Sequence, residues 1–204
     1  MVMLVAEREL EEQLRAQRRE SGADRFDEVW EGVYCVSPIP NIEHQFIVGR
    51  LFAIFQTILD AGDLGMVFPG VNVSDREEGW THNYRGPDIA LVLKGCPAKN
   101  CGTHWCGGPD LVVEIVSRDD RSREKVEFYS RIGVRELLIV DRDPWALEIY
   151  QLNASQLTLA GRLTPDSPAQ LQSIVLPLNF RLVAGQGRPV IEVSHREGRQ
   201  TWRI

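Results

Sequence analysis

The chain has 204 residues, of which 43% are hydrophobic and 25% charged, and this balance is typical of one soluble globular domain with a sizeable core. The formal net charge of −6 argues against a broadly basic protein that coats nucleic acid. It leaves open an enzyme with a local groove, because acidic metal ligands also add negative charge. No apolar run approaches the roughly 18–20 residues of a membrane span. A charged segment, ERELEEQLRAQRRE, stands where a signal peptide would have its cleavage site, so we expect a cytoplasmic protein.

The first third of the chain predicts a solvated helix, a hairpin and a buried helix. Leucines among many charges predict a helix over residues 1 to about 24. Turn and strand signals alternate from Phe26 to Val36 and predict a hairpin that turns at Gly32. The segment from Ile42 to Ala61 carries a broad apolar face at helical spacing, and Gly62 is placed to end that helix.

The middle of the chain predicts three strands and two connections. Met66 to Val73 is interpreted as a strand, and Asp75 to Arg85 as a polar loop. Ile89 to Leu93 and Leu111 to Val116 are short apolar runs that fit strands covered on both faces. Lys94 to Gly107 connects these two runs and is rich in Gly, Pro and Cys.

A strand, a short helix and a second strand follow one another within about 30 residues, which predicts a right-handed parallel crossover. The helix runs from about Asp120 to Ile132, ends at Gly133 and precedes a strand from Glu136 to Val140. Its candidate N-caps are Ser117, Asp119, Asp120 and Ser122. Four later strands are predicted, the last two as a terminal hairpin: Ala146–Leu152, Gln156–Ala160, Val190–Ser194 and Gln200–Arg203.

These elements predict a mixed α/β (α+β) fold with a central mixed β-sheet flanked by helices. We assign residues 1–25 to an N-terminal helical extension. Residues 26–204 then form a single domain that ends in the β-hairpin.

Two apolar strands each carry one carboxylate. Glu114 lies inside its strand, where glutamate is seldom buried unless a cation pairs with it. Asp88 begins the preceding strand. If the two strands pair antiparallel, the start of the first lies beside the end of the second, and the two acids become neighbours. Asp110, four residues before Glu114, would be roughly 13 Å from it at ~3.3 Å per residue, too far to share one ion.

Two converging carboxylates suit a hard divalent cation such as Mg²⁺ or Mn²⁺, and the backbone carbonyl of Ile115 could add a ligand. Lys125 falls near the start of the next helix, where an ammonium could stabilise an oxyanion or help to activate a water. Metal, acids and lysine together are typical of phosphodiester hydrolysis. The structural alternative is an ion pair between Glu114 and Lys125, with Asp88 capping a turn.

The chain contains, in this order, DEVWEGVYCVSPIPNIEHQFIVGRL, GPDIALVL, GGPDLVVEIVS, EKVEFYSRIGV and RELLIVDRDP. Together these segments resemble the Uma-type restriction endonucleases of the PD-(D/E)XK nuclease superfamily. The resemblance covers roughly residues 26–180 and is specific because several motifs recur in the right order. It implies a restriction-endonuclease-like core and a metal-dependent nuclease.

The resemblance also implies roles for single residues. Asp88 takes the PD position and Glu114 is the second acid. The superfamily usually has a lysine two residues after that acid, where this chain has Val116. Many Uma-like sequences share this departure, and a lysine from the following helix is thought to substitute, which Lys125 fits.

Two more residues match the family's upstream pattern, and a third candidate lies beside one of them. His44 matches its helix histidine, and Glu43 beside it is a candidate further acid. A packing or helix-surface role is the alternative for both. Glu28 occupies a recurrent acidic position in the hairpin, where it is either structural or lines the site.

Cys96, Cys101, His104 and Cys106 offer a complete set of zinc ligands within one loop. Their compact spacing lacks a CxxC knuckle, so the alternative is free thiols in a packed loop. A structural zinc here would order the connection between the two acid-bearing strands and take no part in catalysis.

We therefore expect a Mg²⁺- or Mn²⁺-dependent endonuclease that acts on nucleic acid, with DNA as the expected substrate and a homodimer as the expected assembly. Two alternatives belong to other functional classes. The first is a catalytically inactive nuclease-fold module that binds nucleic acid or protein, favoured by the negative charge and by Val116. The second is a small zinc-stabilised interaction module.

Overall fold

The computed structural model describes residues 3–5, 7–116, 121–198 and 200–204. In these residues three α-helices and seventeen strands lie in the following ranges: α1 (Arg8–Ser21), α2 (Ile42–Gly62) and α3 (Val126–Ile132); β1 (Met3–Val5), β2 (Glu28–Trp30), β3 (Val33–Val36), β4 (Gly65–Pro69), β5 (Val73–Ser74), β6 (Tyr84–Arg85), β7 (Ile89–Leu93), β8 (Lys99–Asn100), β9 (Trp105–Cys106), β10 (Leu111–Ile115), β11 (Glu136–Arg142), β12 (Trp145–Asn153), β13 (Gln156–Leu163), β14 (Leu171–Gln172), β15 (Leu178–Val183), β16 (Val190–His195) and β17 (Thr201–Arg203). Short 3-10 helices occupy Ala23–Phe26, Trp80–His82 and Ser122–Lys125.

The central sheet has the strand order β13-β12-β11-β10-β7-β4. Its β10–β11 pair is parallel, whereas the pairs β10–β7 and β11–β12 are antiparallel, so the sheet is mixed. Side chains alternate along β10: Val113 packs in the core beneath α2, and Val112 packs against α3 on the other face. The predicted mixed sheet flanked by helices is confirmed.

Helix α2 begins after the cap residue Asn41 and buries the apolar face predicted from the sequence. Asn41 lies just before the helix, and its side chain accepts a hydrogen bond from the His44 N–H at 2.9 Å. Eight of its residues are buried, and seven of these are apolar. The helix includes Gly62 and ends at Asp63, which adopts a left-handed φ of 48°. The predicted helix is confirmed, and its end lies one residue later than expected.

The prediction of one strand from Met66 to Val73 is wrong. β4 belongs to the central sheet and β5 to a separate sheet, with the order β1-β3-β2-β6-β5-β9-β8. The chain turns between them at Gly70, whose φ of 63° favours glycine. The predicted polar loop and the Cys-containing connection supply β6, β8 and β9 of this second sheet.

The N-terminal segment is less helical than expected. α1 covers only Arg8–Ser21, and β1 pairs antiparallel with β3. Arg18 fixes the helix to the hairpin through Asp27 at 2.6 Å and through the Ser37 carbonyl at 2.6 Å. The division into an extension, 1–25, and one domain, 26–204, stays a proposal.

The helix predicted from about Asp120 begins, in the described residues, as the 3-10 turn Ser122–Lys125, and it continues as α3 to Ile132, with Gly133 directly after it. Ser122 opens that turn, but no side-chain cap is formed at its start. The candidate N-caps Ser117, Asp119 and Asp120 lie outside the described residues. The parallel relation of β10 and β11 is confirmed.

The C-terminal residues form a four-stranded sheet, β14-β15-β16-β17. β16 and β17 pair antiparallel, which confirms the predicted terminal hairpin. Leu178, Phe180 and Val193 from this sheet pack in the same core as α2. None of the helices in the described ranges is long and apolar enough to cross a membrane.

Candidate active site

The pairing of β7 with β10 places the two predicted acids opposite each other. Val112 pairs with Ala90, and Val113 pairs with Ile89. The next step of this register sets Glu114 against Asp88. Asp88 directly precedes β7 and Glu114 directly follows Val113 in β10, so both residues lie at the same end of the strand pair. The predicted antiparallel pairing is confirmed.

The Asp88 carboxylate contacts the backbone of β10 and a side chain of α2. Its Oδ2 accepts a hydrogen bond from the Ile115 N–H at 2.7 Å. Its Oδ1 lies 3.2 Å from Nε2 of His44, which reaches it from the first turn of α2. The Asp88 side chain is 21% exposed and that of Glu114 only 4%, so the site meets solvent at Asp88.

Glu114 receives hydrogen bonds from two residues one helical turn apart. Lys125 Nζ lies 3.1 Å from Oε1 and 3.0 Å from Oε2. The Tyr129 hydroxyl donates to Oε1 at 2.6 Å. The 3-10 turn and α3 are continuous, so the spacing of four residues sets both side chains over the same strand.

A third acid enters from the second sheet. Glu28 Oε1 lies 2.8 Å from Lys125 Nζ and also accepts from the Gly86 N–H at 2.8 Å. Its Oε2 accepts from Trp30 Nε1 at 2.6 Å. One ammonium is therefore shared by the carboxylates of Glu28 and Glu114.

Burial raises the pKa of Glu114 to about 8, and the neighbouring charges of Asp88 and Glu28 act in the same direction. Lys125 and the Tyr129 hydrogen bond oppose this rise. Burial likewise raises the pKa of Tyr129 well above its ordinary value, so Tyr129 stays a neutral donor. Three carboxylates facing one ammonium leave an excess of negative charge when all are ionised.

This donor set fits a hard divalent cation. Asp88 and Glu114 supply carboxylate oxygens from opposite strands, and a divalent charge would offset the excess. No three His, Cys, Asp or Glu residues are grouped as a ready metal cage within the described ranges. Mg²⁺ is usually bound through one or two carboxylates and keeps several waters, so two acids are sufficient.

A family model described as "Putative restriction endonuclease", Uma2, matches residues 10–183. The chain belongs to the Uma2 family. No curated protein matches it. Its fold is similar to that of a solved structure described as "a putative nuclease belonging to DUF820" from Anabaena variabilis. The two share 16% sequence identity with a TM-score of 0.56, over 72% of this chain and 80% of the other.

Glu43, a candidate acid of this Uma2 site, and Asp110, which the sequence excluded from it, both lie outside the acid cluster. Glu43 extends from α2 towards arginines, with Arg142 Nη1 at 3.2 Å and Arg188 Nε at 3.3 Å. Asp110 lies at the other end of β10, where it accepts from the Leu93 N–H and from Arg135, both at 2.8 Å. The expectation that Asp110 lies too far away to share an ion with Glu114 agrees with this placement.

The structure does not assemble the predicted zinc ligands. Cys96 Sγ contacts the Gly108 carbonyl and Cys101 Sγ the Lys99 carbonyl. His104 instead stacks on Trp80 and contacts the Arg76 carbonyl through Nε2. Neither these four residues nor any other trio of His, Cys, Asp or Glu in the described chain forms a metal-binding group.

Sequence reasoning missed Tyr129 and the Ile115 N–H. The signal for Tyr129 was its spacing of four from Lys125 on a predicted helix, which places both side chains on one face. The Ile115 interaction had no such signal, since every non-proline residue carries an N–H.

Proposed function

We propose that this Uma2 protein is a Mg²⁺- or Mn²⁺-dependent endonuclease that hydrolyses DNA phosphodiester bonds. The observation that carries the proposal is the placement of Asp88 and Glu114 at one end of the β7–β10 pair, with Lys125 Nζ in contact with both oxygens of Glu114. Val116 occupies the usual lysine position of the superfamily, and Lys125 delivers an ammonium to the same acid from the following turn. The description of the family as a restriction endonuclease supports DNA as the substrate.

Asp88 and Glu114, with the Ile115 carbonyl, would hold the metal ion. When bound, the ion would polarise the phosphate and lower the pKa of the attacking water. Lys125 holds a positive charge beside Glu114, where it would stabilise negative charge that develops on the phosphate. Tyr129 fixes the orientation of the Glu114 carboxylate through its hydroxyl.

Two residues of α2 would support this set. His44 Nε2 lies 3.2 Å from Oδ1 of Asp88, and we propose that it orients that carboxylate. Glu43 bonds Arg142, whose Nε donates to the Val116 carbonyl at 3.1 Å. Glu43 would thus join α2 to the end of the Glu114 strand and have no contact with the phosphate.

We further propose a homodimer. The described chain brings Asp88 and Glu114 together at one place, and one such site cuts one strand at a time. Two copies related by a two-fold axis would present one site to each strand of a duplex.

The alternative function is a nuclease-fold module that binds nucleic acid without cutting it. Val116 favours this alternative, because a lysine on the strand would be placed more rigidly than one on a 3-10 turn. A cleavage assay separates the two functions.

The assay measures nicking of supercoiled plasmid with Mg²⁺ or Mn²⁺. Glu114→Gln and Lys125→Ala should each lower the rate by about 100-fold or more, because each removes a group that binds the metal or faces the phosphate. Glu136→Gln is the matched control. Glu136 is also a buried strand glutamate, but it pairs with Leu111, at the opposite end of β10 from Glu114, and it bonds Ser173 and the Ile174 N–H.

Cleavage by the wild type that is retained in Glu136→Gln and lost in Glu114→Gln supports the proposal. Undiminished cleavage in Glu114→Gln would contradict the mechanism. Plasmid binding without cleavage by the wild type would favour the binding module.

A further inference from the structure

Glu28 joins the active site from outside the central sheet. It lies in β2 of the seven-stranded sheet, whereas Glu114 lies in the central sheet and Asp88 directly precedes one of its strands. Its side chain is only 5% exposed. A carboxylate so buried requires partners for its oxygens, and the identity of those partners shows what it holds in place.

Both Glu28 oxygens accept hydrogen bonds from groups in or next to the acid cluster. Oε2 accepts from Trp30 in the same strand. Oε1 accepts from the Gly86 N–H, two residues before Asp88, and from Lys125. The hairpin is therefore fixed to the segment that delivers Asp88, and the same oxygen holds the ammonium.

Lys125 needs such an anchor because it enters from a 3-10 turn and not from a strand of the sheet. Its Nζ lies 2.8 Å from Glu28 and 3.0 Å from the nearer oxygen of Glu114. Without Glu28, the Lys125 ammonium would have Glu114 as its one remaining carboxylate partner in this pair and would bind it more strongly. It would then compete with a metal ion for the same oxygens.

We propose that Glu28 is a positioning residue that holds Lys125 beside Glu114 and limits the competition of the ammonium with the metal. The inference rests on the proposed function, since it takes Glu114 as a metal ligand. The inference gives Glu28 no metal-binding role, because Lys125 and the Gly86 N–H share its Oε1 and Trp30 donates to its Oε2.

A double-mutant cycle on Mn²⁺ affinity tests this inference. Free Mn²⁺ is measured by electron paramagnetic resonance during titration of the wild type, Glu28→Gln, Lys125→Met and the double variant. Glu28→Gln should weaken Mn²⁺ binding by about 10–100-fold when Lys125 is present. In the Lys125→Met background the same change should weaken binding by less than about twofold, because no ammonium is left to position.

Two further variants distinguish a specific effect on Lys125 from a general loss of folding. Glu28→Asp keeps the charge but withdraws it by one methylene, so it should weaken Mn²⁺ binding only when Lys125 is present. Asp27→Asn is the matched control: Asp27 is the buried neighbour of Glu28 and bonds Arg18, Tyr34 and the Ser37 N–H. It should lower stability and leave the Mn²⁺ affinity unchanged.

Equal weakening by Glu28→Gln with and without Lys125 would overturn the inference, since Glu28 would then act as a ligand or through its charge alone. An effect of Asp27→Asn as large as that of Glu28→Gln would also overturn it, because any damage to the hairpin would then suffice. Absence of Mn²⁺ binding by the wild type would contradict the metal-dependent function itself, and the inference with it. Mn²⁺ binding together with equal weakening overturns the inference alone.

Discussion

At the scale of a single residue, the neighbours of Glu114 have opposing effects on its ionisation. Burial favours its neutral form, and the nearby charges of Asp88 and Glu28 add to that preference. Lys125 and Tyr129 favour the ionised form, which is the form that binds a metal. The pKa of about 8 expresses the balance between these groups, and it lies close to neutral pH.

Mn²⁺ affinity should therefore depend on pH. Because a cation must displace the Glu114 proton below pH 8, the apparent affinity should rise by about tenfold per pH unit from pH 6 to 8 and level off above that. Calorimetric titration at four pH values measures this slope. Glu114→Gln should lose the slope along with most of the affinity. A wild-type affinity that is constant from pH 6 to 9 would contradict the assignment of Glu114 as the titrating ligand.

The acids were predictable from sequence because a carboxylate in a wholly apolar strand is conspicuous. Glu114 met that criterion, and Asp88 was found as the acid at the start of the preceding strand, next to Glu114 if the two strands pair antiparallel. The contribution of Glu28 was not predictable in this way. Glu28 lies in a three-residue strand of another sheet, and its contact with Lys125 spans 97 positions of sequence.

At the scale of elements, Gly108 joins the Glu114 strand to the helix of Lys125. Its N–H donates to the Ile132 carbonyl at 2.7 Å, near the end of α3. A Cβ at this position would lie 2.3 Å from the Val134 nitrogen and 2.5 Å from the Gly133 carbonyl carbon. These neighbours are backbone atoms and cannot move aside as a side chain can.

Gly108→Ala should lower the free energy of unfolding by about 1–3 kcal/mol, because β10 and the end of α3 must separate to admit the methyl group. Urea unfolding followed by circular dichroism measures the change. Gly49→Ala is the matched control, since Gly49 lies in α2 and a Cβ there would meet nothing within 4 Å. It should stabilise the protein by about 0.5–1 kcal/mol. Equal effects of the two changes would show that the close approach at Gly108 carries no cost.

Elements were predictable in proportion to their length. The α2 helix and strands β12 and β13 have enough residues for a period to show, and all three were predicted from sequence. The strands β5, β6, β8 and β9 have two residues each, too few for any alternation. Their sheet is specified by long-range pairing, which a local pattern does not contain.

At the scale of the whole molecule, two of the three sheets meet at the acid cluster. The central sheet brings Asp88 to Glu114, and the second sheet brings Glu28 to Lys125. The four-stranded sheet closes the core beneath α2, which carries His44. The charged groups of the site come together only in the folded chain. Their ionisation should therefore change the free energy of unfolding as pH changes.

Without metal, Glu114 should make the protein less stable as pH rises. Its pKa is about 8 in the folded state and 4.5 when unperturbed, so between these values the folded state holds a proton that the unfolded state has lost. The unfolding free energy therefore falls as pH increases from 5 to 8, and the contribution is fully present only below pH 4.5. Glu114→Gln lacks this contribution, so urea unfolding of the wild type and the variant at each pH gives the difference.

If Glu114 is the proposed ligand, Mn²⁺ should reverse that fall, because the ion would bind the ionised carboxylate and only in the folded state. At 100 times its dissociation constant it should add about 2.7 kcal/mol to the unfolding free energy of the wild type. The gain should be larger at pH 8 than at pH 6 for a fixed Mn²⁺ concentration.

Glu136→Gln is again the control: burial also raises the pKa of Glu136, but its partners Ser173 and the Ile174 N–H lie outside the acid cluster. Glu136→Gln should keep the full Mn²⁺ response and Glu114→Gln should lose it, whereas the same response in both variants would place the bound ion away from Glu114.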